Sequence, residues 1–298
     1  MNFDHPAGVV KAPVAMTPSI FSIDVEDWYH ILDVESAPEI GRWDALPARV
    51  EANFRRLMDI MAERQVRATC FFIGHIARRF PHLVKEAAQR GHEIASHSYE
   101  HRLVYTMTPA QFLEDASRSR ALLEDIAGAP VTGFRASGFS VTEQTPWFFE
   151  KLVEAGYSYD SSTFPASRGH GGLKGGRLEP HRLKTPAGEL VELPVTVAEV
   201  LGKRLCFFGG GYLRLFPFPL VRRMSRAVLD QGRPVIFYVH PREIDPGHPR
   251  LPMGVSRRFK TYVNLRTTEE KIRKILAEFP VTTFRDYIND NRARLEVC

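Results

Sequence analysis

The sequence predicts an α/β fold built on a mostly parallel sheet, open or closed into a barrel. Three observations carry that expectation. Strand-like and helix-like patterns alternate from about residue 19 to residue 245, and such alternation gives a parallel sheet wrapped by helices. No Gly/Ser-rich linker and no internal repeat of fixed period interrupts the pattern. The residues able to do chemistry fall immediately after apolar runs, where α/β folds place their sites.

Taken in order, residues 1–18 read as a loose leader, with prolines and no continuous apolar stretch. Phe21, Ile23 and Val25 alternate with Ser22 and Asp24, which reads as a strand. Over 47–65, Val50, Phe54, Leu57, Met58 and Met61 recur at helical spacing. "RATCFFIG" is a strand, and "PHLVKEAAQRG" a helix stopped by Gly91. "HEIASHS" is the next strand. "TPAQFLEDASRSRALLEDIAG" opens with a capping threonine and a proline and ends at a glycine. "VTGFRA", "EQTPWFFEKLVEAG" and "YSYDSS" continue as strand, helix and strand. Gly- and Pro-rich sequence covers about 165–188, followed by a strand in "ELVELPV", a helix in "PFPLVRRMSRAVLDQG" and a buried strand in "RPVIFYVHP". A further helix is expected over 268–278. One domain, 19–298, is expected, with its core over about 19–245 and a strand-poor extension, 246–298, packed on it.

The chain of 298 residues is 44% hydrophobic, enough for a sizeable core. Its net charge of +5 comes from 40 Lys and Arg interspersed with 35 Asp and Glu. No run of like charge and no Arg-aromatic repeat gives nucleic-acid binding a motif. A weakly basic surface suits anionic glycans or peripheral contact with a membrane face. The three cysteines are too scattered for a disulfide framework or a zinc ribbon. There is no signal-peptide pattern and no run of about 20 apolar residues, so a cytoplasmic location is expected.

Chemistry concentrates in two stretches. "DVED" sets Asp24, Glu26 and Asp27 at a strand end. Alone, they would make a solvated acidic turn. "SHSYEH" sets His97 and His101 four apart. On a helix or a tight helical loop, that spacing puts two imidazoles where they can grip one metal ion. An isolated pair of this spacing is more often structural, but this one also follows an apolar run. Two histidines and a carboxylate from "DVED" make a three-ligand site with open positions. A metal hydrolase also needs a base and an acid. A second carboxylate can be the base. His240, at the end of "VIFYVH", is the candidate acid. Arg135, after "TGF", can hold the base ionised and oriented. Each has an ordinary explanation: a surface arginine, a histidine that satisfies a strand end. What changes the weighting is that all of them follow predicted strands, whose ends converge on one face of a barrel.

These residues resemble the polysaccharide deacetylases of carbohydrate esterase family 4, the NodB homology domain. The resemblance runs in order through "SIDVED", "SHSYEH", "FRASGFS", "YDSS" and "FYVHP". It implies a distorted (β/α) barrel, one divalent metal held by an acid and two histidines, and hydrolysis of acetyl groups on sugars. "HPREIDP", "GGGYLRLFP" and "FKTYVNL" further resemble the subgroup found with exopolysaccharide and exosortase loci. Carried over, Asp24 is the base, His97 and His101 are metal ligands, Arg135 tethers the base and His240 is the acid. The family's two adjacent aspartates are interrupted here by Val25, so the third ligand is Glu26 or Asp27, with D-x-D relatives favouring Glu26. Ser137 replaces the usual proline of the arginine motif. Zinc is the expected metal, with Co2+, Fe2+, Mn2+ and Ni2+ as other candidates. Tyr212, Trp28, Tyr29 and Phe139 are expected as sugar-stacking surfaces. The implied substrate is a glycan containing N-acetylhexosamine; the expected cytoplasmic location points to a lipid-linked or nucleotide-linked precursor of it. Two alternatives remain: a cyclic-amide or ureide hydrolase on the same barrel, and a non-catalytic carbohydrate-binding homologue.

Overall fold

In a computed structural model, the described residues are 18–166 and 171–298, so the expected leader lies, apart from Pro18, outside them. The first strand, β1 (Ser19–Val25), is buried along its whole length. That is the environment of a central strand in a parallel sheet, covered on both faces. It pairs in parallel with β2 (Thr69–Phe72) on one side and β10 (Ile236–Val239) on the other. From β2 the sheet continues through β3 (Glu93–Ser96), β4 (Gly133–Phe134), β5 (Tyr159–Asp160) and β7 (Gly188–Glu192). Beyond β7 lie β6 (His181–Thr185), which is antiparallel to it, and β12 (Glu296–Val297). A separate hairpin joins β8 (Ala198–Val200) to β9 (Lys203–Leu205), and β11 (Val281–Thr282) pairs with β1.

The sheet curls towards closure without a regular last pair. Chain following β7 meets the start of β10 through a side chain: the Ile236 amide donates to Thr196 Oγ1 at 2.9 Å. An isolated bridge sets Gly209 against Tyr238. A side chain at Gly209 would collide with the Tyr238 ring, since a Cβ there would lie 2.1 Å from it. This irregular seam distorts the barrel.

Ten helices surround the sheet among the described residues. They are α1 (Val50–Ala62), α2 (Gly74–Arg79), α3 (Pro81–Gln89), α4 (Pro109–Ala127), α5 (Phe148–Glu154), α6 (Gly210–Leu215), α7 (Phe218–Leu229), α8 (Val255–Tyr262), α9 (Leu265–Glu278) and α10 (Phe284–Asn291). α1 buries the apolar stripe its spacing predicts. α4 starts with a reciprocal cap between Thr108 and Gln111 and stops at Gly128, whose φ of 66° is the left-handed value glycine adopts freely.

The structure adds α2, α6, α8, α10 and the β8–β9 hairpin to the expected elements and departs from the expectations further. β4 and β5 are only two residues long. β6 lies inside the Gly- and Pro-rich stretch, where no strand is expected; it is half-exposed and carries His, Arg and Lys, so it shows no apolar alternation. The C-terminal extension is woven into the fold: β11 and β12 join the sheet, and α9 begins at Leu265.

Candidate active site

The parallel register aligns the strand ends, and chemistry follows one residue later. Ser96 of β3 pairs with Phe72 of β2 and Phe134 of β4, and Ile23 of β1 pairs with Val239 of β10. His97, Arg135 and His240 are each the residue after such an end. Backbone hydrogen bonds hold two of them: His97 N donates to Phe72 O at 2.8 Å, and Arg135 N donates to Ser96 O at 2.9 Å.

Glu26, His97 and His101 form a buried corner whose donor atoms all lie within 4.8 Å of one another. Glu26 Oε1 is 3.3 Å from His97 Nε2 and 3.0 Å from His101 Nε2. His97 Nδ1 is 2.7 Å from the Arg135 carbonyl. A carbonyl can only accept, so Nδ1 carries the proton and Nε2 turns its lone pair towards the carboxylate. His101 Nε2 is buried and makes no aligned hydrogen bond despite its closeness to Glu26. Lone pairs thus crowd one point, an arrangement relieved by a cation, and the outer hydrogen bond to His97 is the usual support of a metal-ligating imidazole. Burial by itself would raise the Glu26 carboxyl, but the imidazoles packed around it, His101 and His240 foremost, bring it well below its ordinary range. Burial lowers the His101 imidazole against the pull of Glu26, which favours the neutral form that ligates. The donor set fits one divalent ion.

The His97–His101 pair lies on a loop after β3, with no helix beneath it. Ser98 and His101 have φ of 63° and 55°, a conformation that costs energy and clusters at functional sites. Side chains clamp the loop. Ser98 Oγ accepts from His101 N, and the Asp115 carboxylate accepts from Tyr99 N and Glu100 N. Burial pushes the Asp115 carboxyl up to about 6.

Asp24 sits beside the corner. Its Oδ1 accepts from Arg135 Nη1 at 2.6 Å. Arg135 is completely buried, lies over the Phe71 ring and also donates to Ser22 Oγ and to Ser161. Opposite, His240 Nε2 lies 3.8 Å from Asp24 and 3.7 Å from Glu26. Its Nδ1 is 3.2 Å from Glu243, which accepts from Arg214 Nε at 2.9 Å. Burial opposes a charge on His240, but Glu26 and Glu243 outweigh it and raise the imidazole above its ordinary value. Glu243, despite its burial, is brought down to about 2 by His240 and Arg214.

Asp24, Glu26, His97, His101, His240 and Arg214 line one pocket of about 300 Å³, at the small end of ligand sites. Phe139 and Tyr212 line it. Asp27 and Trp28 are corrected. The Asp27 carboxylate accepts from the amides of Trp28, Arg49 and Val50, so it holds the start of α1 and leaves the third donor position to Glu26. Trp28 packs in a buried cluster with Tyr29 and Trp43, and its Nε1 donates to Pro47 O; neither Trp28 nor Tyr29 lines the pocket. Sequence reasoning missed the Glu243–Arg214 pair and Arg242. The Arg242 guanidinium lines the pocket, and its Nε makes no hydrogen bond among the described residues. Glu243 had a signal: it lies three residues after His240 in "HPRE". Arg214, in the last turn of a short helix, had none.

A NodB-type α/β barrel with a buried carboxylate and two histidines at the strand ends is the class that this fold and site define. Residues 42–159 match the family model "Polysaccharide deacetylase", and residues 161–289 match a domain of unknown function, DUF3473. The chain is 30% identical over 112 residues to a peptidoglycan deacetylase of Helicobacter pylori, covering 38% of this chain and 37% of that protein. It is 28% identical over 90 residues to a probable 4-deoxy-4-formamido-L-arabinose-phosphoundecaprenol deformylase of Shewanella sediminis, covering 29% of this chain and 28% of that protein. The matched part spans well under half of either relative. A Mycobacterium smegmatis structure assigned as a polysaccharide deacetylase superposes with a TM-score of 0.62 at 23% identity, over 97% of this chain and 95% of that one. The Puue allantoinase reaches the same TM-score at 16% identity, over 98% of each chain. These likenesses show the fold. The family model and the relatives give a likeness to polysaccharide deacetylases over less than half of this chain.

Proposed function

We propose that the protein is a metal-dependent hydrolase that removes acetyl groups from N-acetylated sugars. The observation that carries this reading is the convergence of Glu26, His97 and His101 beside an Arg135-clamped Asp24, with His240 facing both. Glu26, His97 and His101 would hold one divalent ion, with zinc the best match to two imidazoles and a carboxylate; bound there, it would polarise the amide carbonyl and the attacking water. Asp24, kept ionised and aligned by Arg135, accepts the proton of that water. His240, whose imidazole Glu26 and Glu243 raise against its burial, gives a proton to the departing sugar amine. The products are acetate and the free amine. Phe139 and Tyr212 offer faces to a sugar ring.

The motifs that carry the exopolysaccharide-subgroup resemblance all reach this pocket: "GGGYLRLFP" through Tyr212 and Arg214, "HPREIDP" through His240 and Arg242, and "FKTYVNL" through Phe259 and Val263. That placement supports a glycan of that class as substrate. The Shewanella relative, whose printed name gives an amide on a phosphoundecaprenol-linked sugar, supports a lipid-linked precursor.

The test is acetate release from N-acetylglucosamine oligosaccharides, with and without chelator. Release that chelation abolishes and zinc restores is expected. Hydrolysis of a cyclic ureide in its place would select the rival that shares the allantoinase fold. Sugar binding with no hydrolysis would select a non-catalytic homologue.

A further inference from the structure

We propose that the rim of the pocket built by α8 docks on an anionic lipid bilayer. Val255 is 87% exposed and Phe259 57% exposed. They stand four residues apart, on one face of the helix. Leu215, 41% exposed at the end of α6, lines the same pocket mouth as Phe259. Exposed apolar side chains gathered beside a functional opening mark a contact surface.

The charge around this ridge selects the partner. Residues 246–268 contain five Arg or Lys (250, 257, 258, 260 and 266) and no Asp or Glu. Arg258 and Lys260 are exposed on α8 itself. The acids that follow are engaged: Glu269 with Arg56 and Arg273, and Glu270 with Lys274. Asp33 and Glu35 border a small groove on the other flank, beside Pro252 and Gly254. Apolar side chains among cations match the boundary of an anionic bilayer, where the apolar groups sink below the headgroups and the cations meet the phosphates. A protein partner would have to bring acids in matching positions, whereas an anionic leaflet offers negative charge everywhere.

The helix is fixed to the site. Thr261 and Tyr262 are buried, the Leu251 amide donates to Tyr262 Oη, and Arg214 Nη2 donates to Lys260 O while its Nε holds Glu243. Docking through α8 would therefore turn the pocket mouth towards the membrane, within reach of a sugar on a lipid carrier. The docking itself does not depend on the deacetylase reading.

Co-sedimentation of the full chain with vesicles tests it. The protein should bind vesicles of phosphatidylglycerol and phosphatidylethanolamine, lose binding in high salt, and ignore pure phosphatidylcholine. The double variant Val255→Asp/Arg258→Glu should bind anionic vesicles at least about tenfold more weakly, with unchanged melting temperature and unchanged turnover of a soluble acetylated oligosaccharide. Wild-type protein that stays in the supernatant with anionic vesicles would overturn the proposal, as would a folded double variant that binds like wild type. A wild-type dimer in sedimentation velocity that the double variant dissolves would also overturn it, by giving the ridge to a second copy. Vesicle binding is read without turnover, so a missing deacetylase activity leaves this result intact.

Discussion

On one side of the pocket, Asp24, Glu26, His97 and Arg135 are buried and lie in or directly after a strand, and His101, buried with them, follows on the clamped loop after β3. On the other, His240 is partly open, Arg242 more so, and the acid is aligned indirectly, through Glu243 and an arginine on a short helix. The first side belongs to β1, β3 and β4; the second comes from β10, α6 and the segment around α8. The difference teaches a division of labour. Groups whose geometry cannot vary are tied to the sheet by backbone hydrogen bonds. Groups that meet the substrate ride on helices and loops added at the rim, where sequence can change without moving the sheet.

The largest expected effect breaks the buried side. Arg135→Met leaves the Asp24 carboxylate buried without its partner, a loss of typically about 3–5 kcal/mol. Chemical denaturation should show that drop, with turnover abolished. A variant of near-normal stability would mean that Asp24 and Arg135 are not the buried pair described.

His240→Ala sharpens the contrast. Loss of a general acid should lower kcat by about 10²–10⁴-fold, with little change in melting temperature, since this histidine sits at the open side. A stability loss with near-normal turnover would make His240 structural. Because its neighbours raise this imidazole, the protonated form persists above its ordinary pH range and is lost as pH rises further. Glu243→Gln removes one of the charges that raise it, so the basic limb of the pH–rate profile should move to lower pH. An unmoved limb would detach Glu243 from the acid.

Smallest is Tyr212→Ala. A rim contact made equally in ground and transition states changes KM and leaves kcat alone, here by a few-fold at most. An equal fall in kcat would place Tyr212 in the reacting geometry.

The same division explains what the sequence disclosed. The strands around the buried side announce themselves by apolar runs, and His97, Arg135 and His240 follow those runs directly. Glu26 and Asp27 could not be separated by pattern, because both lie beyond the strand in a turn; the amides that claim Asp27 include those of Arg49 and Val50, far along the chain. Trp28 was misplaced for the same reason, since alternation stops at Val25 and no longer says which way a ring points. β4 and β5 were placed despite two-residue lengths because their neighbours fixed the order. The rim was least legible. Arg214 meets Glu243 across 29 residues of sequence, and no local period encodes such a pair.

Metal content measured after dialysis decides most directly whether the buried corner is a metal centre distinct from the base. Wild-type protein and Asp24→Asn should each retain about one equivalent of divalent metal, because Asp24 stands outside the donor set. Glu26→Gln and His97→Ala should lose it while remaining folded. Metal retained in both of those variants, or lost in Asp24→Asn alone, would contradict the assignment of Glu26, His97 and His101 as the ligands.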